Sequence, residues 1–484
     1  MTSAGLWMLL LLGLLIVGTG LPVWALLIGS ASLFAALGVA SSVIDWHVLM
    51  ALSPRLVGLL EHDLLQALPL YVFVGVLLQR LAIADTVFSS LTAWGGGSPR
   101  ASACAALGLG TLIAPMNGSV ASSSALLARL VAPRLKAMDK SRATALVAVA
   151  ATIGVVVPPS LVLILLGDAM MRAHTEAGNL PGFAAHTDAR VVNTQDVLHA
   201  ALVPAAMVLI LWLALAWWQS GGVRADAAAA RPRRWAHAVS LLAIASIVGL
   251  LGGVFSGRLL AVEAAASAGC MLVLLTLVGR LLALDQWREV LMDTLNLSGA
   301  LMALLVGATS FSLVFRAFET DRWLNDVVLS PGLGPMPGVM LMLLFVAACA
   351  WVLDAFEMIF VIIPIVAPAL INRLGGDAQQ ASVLLLLVLQ LSFLIPPMGY
   401  AIQIARARSG LGENSTARLL RAVAPYAVAQ SLVMAAVLVL PALVHVLDAS
   451  VPAGTRVDAP SEQDLDRQIR EMANPQSAGA ETKP

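Results

Sequence analysis

The feature that most constrains this chain is the recurrence of long apolar runs almost free of charge. Residues 6–38 contain no Asp, Glu, Lys or Arg, and comparable runs return along the sequence. A run of roughly 20 such residues can cross the hydrocarbon of a bilayer as a helix. In hydrocarbon the backbone must satisfy its own hydrogen bonds, and a helix does so within one segment. The chain therefore reads as an all-α polytopic membrane protein embedded in a lipid bilayer. Composition agrees: 60% of the 484 residues are hydrophobic and 12% charged, against about 45–50% and about 25% in an average soluble domain. Residues 6–38 are too long for one span, and "GTGLP" (18–22) divides them.

The formal net charge is zero, which points to no nucleic-acid partner. Cys104, Cys270 and Cys349 sit singly in apolar runs. Without paired spacing they make neither a disulfide framework nor a metal site, and read as small buried hydrophobes. No Lys or Arg precedes Arg55, so no cleaved signal peptide is expected and the first helix should stay. The chain has no G-x-x-x-x-G-K-[ST] phosphate loop, which argues against a primary ATP-driven pump.

Polar punctuation divides the sequence into two halves, 1–220 and 236–447, joined by the basic linker "GGVRADAAAARPRRW" (221–235). The linker and the basic loops 129–142 and 406–421 are expected to face the cytoplasm. Spans are expected at about 67–80 and 199–219 in the first half, and at about 236–257, 260–281, 298–318, 338–353 and 421–447 in the second. The charged segments 39–66 and 283–297 are expected to lie flat. A polar insert occupies 172–198, and the polar tail 448–484 is expected to be disordered.

Each half ends in an apolar segment followed by a helix that a double proline interrupts: "ATIGVVVPPS" (151–160) and "LSFLIPPMGY" (391–400). Proline lacks the backbone donor and clashes with the carbonyl of residue i−4. Irregular backbone at membrane depth survives only against protein or a wet cavity. The broken helices 143–171 and 379–405 should therefore leave carbonyl oxygens available near mid-membrane, where they suit a hard cation such as sodium. A structural role as packed kinks is the competing reading for either proline pair alone. Interrupted helices at matching places in two halves are the best sequence pointer to a transporter's binding site.

Two further segments carry polar groups in apolar surroundings. "NGSVASSS" (117–124) is dense in small and hydroxyl residues. Such residues often serve close helix packing, but Asn117-Gly118-Ser119 suits the turn of a re-entrant hairpin at about 113–133, ended by Pro133. In the other half, Asp354 and Glu357 lie i, i+3, on one helix face, in the apolar block 353–370, read as a second hairpin. Ionisable groups at that depth are functional candidates by default. Pairing with scaffold residues is the alternative.

At these residues the chain resembles the large membrane subunit of tripartite ATP-independent periplasmic (TRAP) transporters. "NGSVASSSALLARLVAP" (117–133) with "ATIGVVVPPSLVLILLG" (151–167) is similar to the family's first hairpin and broken helix. "LDAFEMIFVIIPIVAP" (353–368) with "LQLSFLIPPMGYA" (389–401) is similar to the second pair, and "EAAASA" (263–268) to its Thr-Glu-Ala-Ala element. The likeness covers about 1–447.

The resemblance implies a sodium-driven elevator fold with inverted repeats and roughly 11–12 membrane helices. It also implies a small membrane partner subunit, a periplasmic substrate-binding protein, a small organic-acid substrate and a place in the bacterial inner membrane. No cofactor is implied beyond sodium as coupling ion. Sodium is then expected at Asn117, Ser119, Thr152 and Pro158 in the first half, and at Asp354, Ser392 and Pro396 in the second. Substrate is expected near Ser122, Ser123, Ser160, Glu357 and Gly399. Two departures affect this set. The family's Ser-Gly-Ser-Ser reads Asn117-Gly118-Ser119-Val120, and its Thr before the second Pro-Pro reads Ile395, leaving backbone or Ser392 to supply the oxygen. The competing readings are a stand-alone sodium/dicarboxylate symporter and, remotely, an intramembrane serine hydrolase. The hydrolase needs a histidine near a serine, and the seven histidines fall in loops or near helix ends.

Overall fold

The computed structural model describes residues 3–61, 63–81, 83–117, 119–135, 138–157, 160–180, 193–221, 234–320, 332, 334–395, 399–409 and 415–448. Residues up to Val446 form one unit, and the tail from Leu447 is a second. Most of the linker 221–235 and of the tail 448–484 lies outside the described residues.

Every regular element among the described residues is helical. The first half runs α1 (Ser3–Thr19), α2 (Val23–Ala40), α3 (Trp46–Met50), α4 (Leu52–Leu60), α5 (Asp63–Arg80) and α6 (Ile83–Trp94). It continues with α7 (Pro99–Asn117), α8 (Val120–Val131), α9 (Lys140–Thr152), α10 (Leu161–Ala177) and α11 (Thr194–Gln219). The second half runs α12 (Arg234–Phe255), α13 (Ala261–Val278), α14 (Leu284–Ala317), α15 (Pro335–Cys349), α16 (Ala355–Arg373), α17 (Ala378–Ser392), α18 (Tyr400–Arg408) and α19 (Thr416–Val439). The break between α1 and α2 falls in "GTGLP": Gly20 takes φ +64°, which favours glycine, and Pro22 precedes the next helix.

Among the described residues, six helices are long and apolar enough to cross a membrane: α2, α11, α12, α14, α16 and α19. A seventh span would combine the bent pair Trp46–Leu60 and Leu65–Arg80. Shorter apolar helices, among them α15 and α17, stand beside these. A helix rises about 1.5 Å per residue, so a piece of 15 residues is about 22 Å long, shorter than the roughly 30 Å of bilayer hydrocarbon.

Three boundaries differ from the sequence reading. The first hairpin is longer than 113–133, because its first arm, α7, begins at Pro99. The second hairpin is displaced. Residues 355–373 form one helix, so the turn falls at 350–354 and the arms are α15 and α16. Finally, 283–297 is not a separate flat segment. It opens the continuous 34-residue helix α14, which no proline interrupts.

The packing crosses the two halves. The second arm of the first hairpin, α8, lies against α18, the far part of the second broken helix. In return α10, the far part of the first broken helix, lies against α16. Around this centre, α14 packs along α2 and α5, and α5 packs against α13. Arg80, ending α5, bonds Glu289 and reaches Asp293 Oδ2 at 2.7 Å, fastening α5 to the first turns of α14.

Small residues set the closest approach at this centre. A Cβ on Gly110 of α7 would stand 2.2 Å from the Ala150 carbonyl oxygen of α9. A Cβ on Gly154, just beyond α9, would stand 2.4 Å from the Ala114 carbonyl carbon. Both separations are well inside van der Waals contact, so only glycine lets the hairpin arm lie on the broken helix at this distance.

Candidate functional site: two broken helices and two hairpin tips

The first break starts where α9 ends at Thr152 and tightens into a 3₁₀ turn over Ile153–Val155. The Ile153 carbonyl accepts from the N–H groups of Val156 and Val157 at 3.2 and 3.1 Å. Pro158 and Pro159 lie outside the described residues, but their chemistry still selects two carbonyls. A proline cannot donate to residue i−4, which frees the carbonyls of Gly154 and Val155. The Val155 oxygen accepts from the Ser160 hydroxyl at 3.4 Å.

Those two residues line a small cavity of about 10 Å³ together with Ala114 and Pro115 of α7, Ser119, Val120 and Ser123 of the hairpin, Ala151 and Val162. That volume is about one water-sized sphere. Ser119 begins α8 with extended backbone (φ −114°, ψ 130°), yet its hydroxyl makes no capping bond. Ser123 is buried at the same wall. Hairpin tip and helix break thus meet around a space of single-ion size.

The other residues expected here divide. Thr152 is fully buried, and its hydroxyl donates to the Val149 carbonyl at 3.0 Å, which leaves the oxygen lone pairs free to accept. It does not line the cavity. Asn117 ends α7, but its side chain lies outside the described residues. Ser160 is the buried N-cap of α10, accepting from the Leu163 N–H at 3.0 Å. Ser122 turns toward α5 and accepts from the Gln79 amide at 2.8 Å.

The second tip is built differently. Asp354 is the N-cap of α16, and the Glu357 carboxylate accepts from the Asp354 N–H at 3.0 Å. The i, i+3 spacing is thus that of a capping box, not only of one helix face. Asp354 Oδ1 is buried with no hydrogen-bond partner among the described residues. The helix then passes through a π turn over Met358–Ile362. Pro364 explains the turn: it offers no N–H to Phe360, and Ile363 donates five residues back, to Met358.

At the second break, α17 ends at Ser392, whose buried hydroxyl donates to the Val388 carbonyl at 2.8 Å. Pro396 and Pro397 lie outside the described residues. A Cβ on Gly399 would stand 2.9 and 3.1 Å from the carbonyl oxygens of Ile395 and Phe393. The break folds back on itself here, and glycine is the residue that fits between those oxygens.

The sequence reading missed two features. Gly110 and Gly154 carry the contact between α7 and the break, and their only sequence signal was smallness. Gln390 and Gln430 form a buried pair between α17 and α19 at 2.8 Å, which nothing local in the sequence announces.

Comparison with known proteins agrees with this architecture. The family model described as the tripartite ATP-independent periplasmic transporter, DctM component, matches residues 8–443. The chain is 24% identical over 396 residues to the sialic acid TRAP transporter large permease protein of Vibrio cholerae, covering 80% of this chain and 86% of that protein. It is 23% identical to the C4-dicarboxylate TRAP transporter large permease protein of Rhodobacter capsulatus, over 81% and 88% of the two chains. It is likewise 23% identical to the 2,3-diketo-L-gulonate TRAP transporter large permease protein of Escherichia coli, over 86% and 93%. These relatives are named as permeases, not enzymes.

Proposed function

Since the chain belongs to the DctM-component family of tripartite ATP-independent periplasmic transporters, we propose that it imports a small organic acid driven by sodium. In this reading it is the large permease subunit of a system in the bacterial inner membrane. A periplasmic binding protein delivers the acid, and a small membrane subunit completes the complex. The cargo class rests on chemistry: sialic acid, a C4-dicarboxylate and 2,3-diketo-L-gulonate, the names borne by these three relatives, are carboxylates.

The observation that carries the sodium assignment is the cavity of about 10 Å³ between Ser119, Ser123, Gly154 and Val155. Sodium is a small, hard ion that favours several oxygen ligands at once. The tip offers hydroxyls, and the break offers the carbonyls to which Pro158 and Pro159 cannot donate a backbone hydrogen bond. Neither element supplies enough ligands alone, so an ion held there ties the hairpin to the broken helix. A bound ion shifts a conformational equilibrium only through its different affinity for the two states. Forming and opening this contact supplies that difference, which couples sodium to movement of the transport unit. The connectivity suits inverted repeats. With the basic loops 129–142 and 406–421 on the cytoplasmic side, α7–α8 enters from the cytoplasm and α15–α16 from the periplasm.

Reconstitution tests the reading. Proteoliposomes holding both membrane subunits and the binding protein should accumulate acid under an inward sodium gradient, and omission of any component should abolish uptake. Robust uptake by this chain alone would contradict the tripartite assignment in favour of a stand-alone symporter.

A further inference from the structure

A cavity of about 340 Å³ lies away from the cavity at the first break, between α4, α10, α14 and α16. Its walls follow helical spacing. Ala169, Arg172, Ala173 and Glu176 form one face of α10, and Leu305, Ala308, Thr309, Ser312 and Arg316 one face of α14. The π turn of α16 closes it with Ile359 and Phe360, and Arg55 enters from α4. Small residues on the facing helices keep the space open.

Three guanidinium groups therefore converge on one cavity from helices far apart in sequence. Arg316 forks onto Glu176, with contacts of 2.6 and 2.9 Å to its two carboxylate oxygens. Arg172 is bonded to Asp168, which is buried behind it. Arg55 has no hydrogen bond or ion pair among the described residues. Three positive charges face two negative ones, leaving an excess of one, and a guanidinium that already serves one carboxylate keeps further N–H donors for a second. Thr309 and Ser312 add hydroxyls to the same wall. Arg55 is exposed, and the Arg172 and Arg316 side chains are 51% and 32% exposed, so the cavity opens at the protein surface and a solute can reach its charges.

We propose that this cavity is a second, carboxylate-binding site, at which Arg55 supplies the free positive charge and Arg316 and Arg172 hold the anion by charge-assisted hydrogen bonds. It rests on the reading that the cargo is an organic acid, and it adds a binding step separate from the sodium site at the first break. The size favours a soluble acid of a few carbons over a lipid, whose paired acyl chains need far more room. The hydroxyls on the Arg316 face of α14 suit a hydroxylated or second acidic group on the same solute. Because α10 and α16 pack on each other while α4 and α14 pack together, the anion would sit between two pairs of helices and bridge them.

The test needs no knowledge of the natural cargo. In the full chain reconstituted with its small subunit, Cys104, Cys270 and Cys349 are replaced by alanine and Thr309→Cys is introduced, with Ser312→Cys as a second variant. Each is labelled with the anionic 2-sulfonatoethyl methanethiosulfonate and with the cationic 2-(trimethylammonium)ethyl analogue. After normalisation to free cysteine, the anionic reagent should react several-fold faster, and Arg55→Gln should remove most of that preference. Succinate should slow the anionic reagent, while anionic lipid in the bilayer should leave its rate unchanged. A normalised ratio of one at both positions, or a preference indifferent to Arg55→Gln, would overturn the proposal. So would protection by anionic lipid without protection by succinate. None of these outcomes depends on sodium-driven uptake, so a failed cavity and a failed transport reading give different results.

Discussion

The two hairpin–break pairs occupy matching places but use different chemistry. The first presents neutral oxygens: hydroxyls at Ser119 and Ser123, and carbonyls at Gly154 and Val155, around a cavity of single-ion size. The second presents carboxylates, with Asp354 and Glu357 locked in a capping box and Asp354 Oδ1 buried without a partner among the described residues. Neutral oxygens can surround a bare cation without a proton having to leave. A carboxylate with a buried free oxygen either attracts a cation strongly or must be neutralised, because burying an unpaired charge is costly. The two pairs share a backbone device, a proline-broken helix beside a hairpin tip, but carry different side chains at the two tips.

The largest effect expected from that contrast is steric. Gly154→Leu would place a side chain where even a Cβ lies 2.4 Å from the α7 backbone. Overpacking of this kind costs about 1–3 kcal/mol or more, so a marked drop in thermal stability and loss of uptake should follow. Gly399→Ala meets its nearest carbonyl at 2.9 Å and should be milder. Equal tolerance at both sites, read by thermal unfolding of the purified complex, would break the view that the first pair is the more tightly seated.

An electrostatic change comes next. Asn caps helices about as well as Asp, so Asp354→Asn should hold stability within about 0.5 kcal/mol while sharply lowering uptake. Asp354→Leu should also lose the cap, at a cost of about 1 kcal/mol, with assembly on the small subunit retained. Wild-type uptake from Asp354→Asn would reduce the carboxylate to a structural cap.

These contrasts were unequally legible in the sequence. The double prolines were readable because their effect is local: a missing donor acts on the carbonyl four residues back whatever the tertiary structure. The Asn117-Gly118-Ser119 turn was readable for the same reason. Asp354 and Glu357 were read as one face of a helix because i, i+3 spacing serves both a face and a capping box. Only the helix start at Ala355 decides between them. The second hairpin was misplaced because 350–354 carries no glycine or proline to announce a turn. Helix α14 was divided because its charged first turns resembled a surface helix, whereas Arg80 pairs with Glu289 and Asp293 there. The cavity of Arg55, Arg172 and Arg316 could not be read at all, since its charges come together only through long-range packing.

The smallest change in structure tests the central claim most directly. Ser119 makes no capping bond, so Ser119→Ala removes one oxygen from the cavity at the first break with little effect on folding. Sodium titration of uptake, with both membrane subunits and the binding protein present, should show the half-maximal sodium concentration rising several-fold in Ser119→Ala. Maximal uptake at saturating sodium and thermal stability without sodium should stay near wild type. An unchanged sodium dependence in Ser119→Ala would contradict the placement of the ion between the first hairpin and its broken helix.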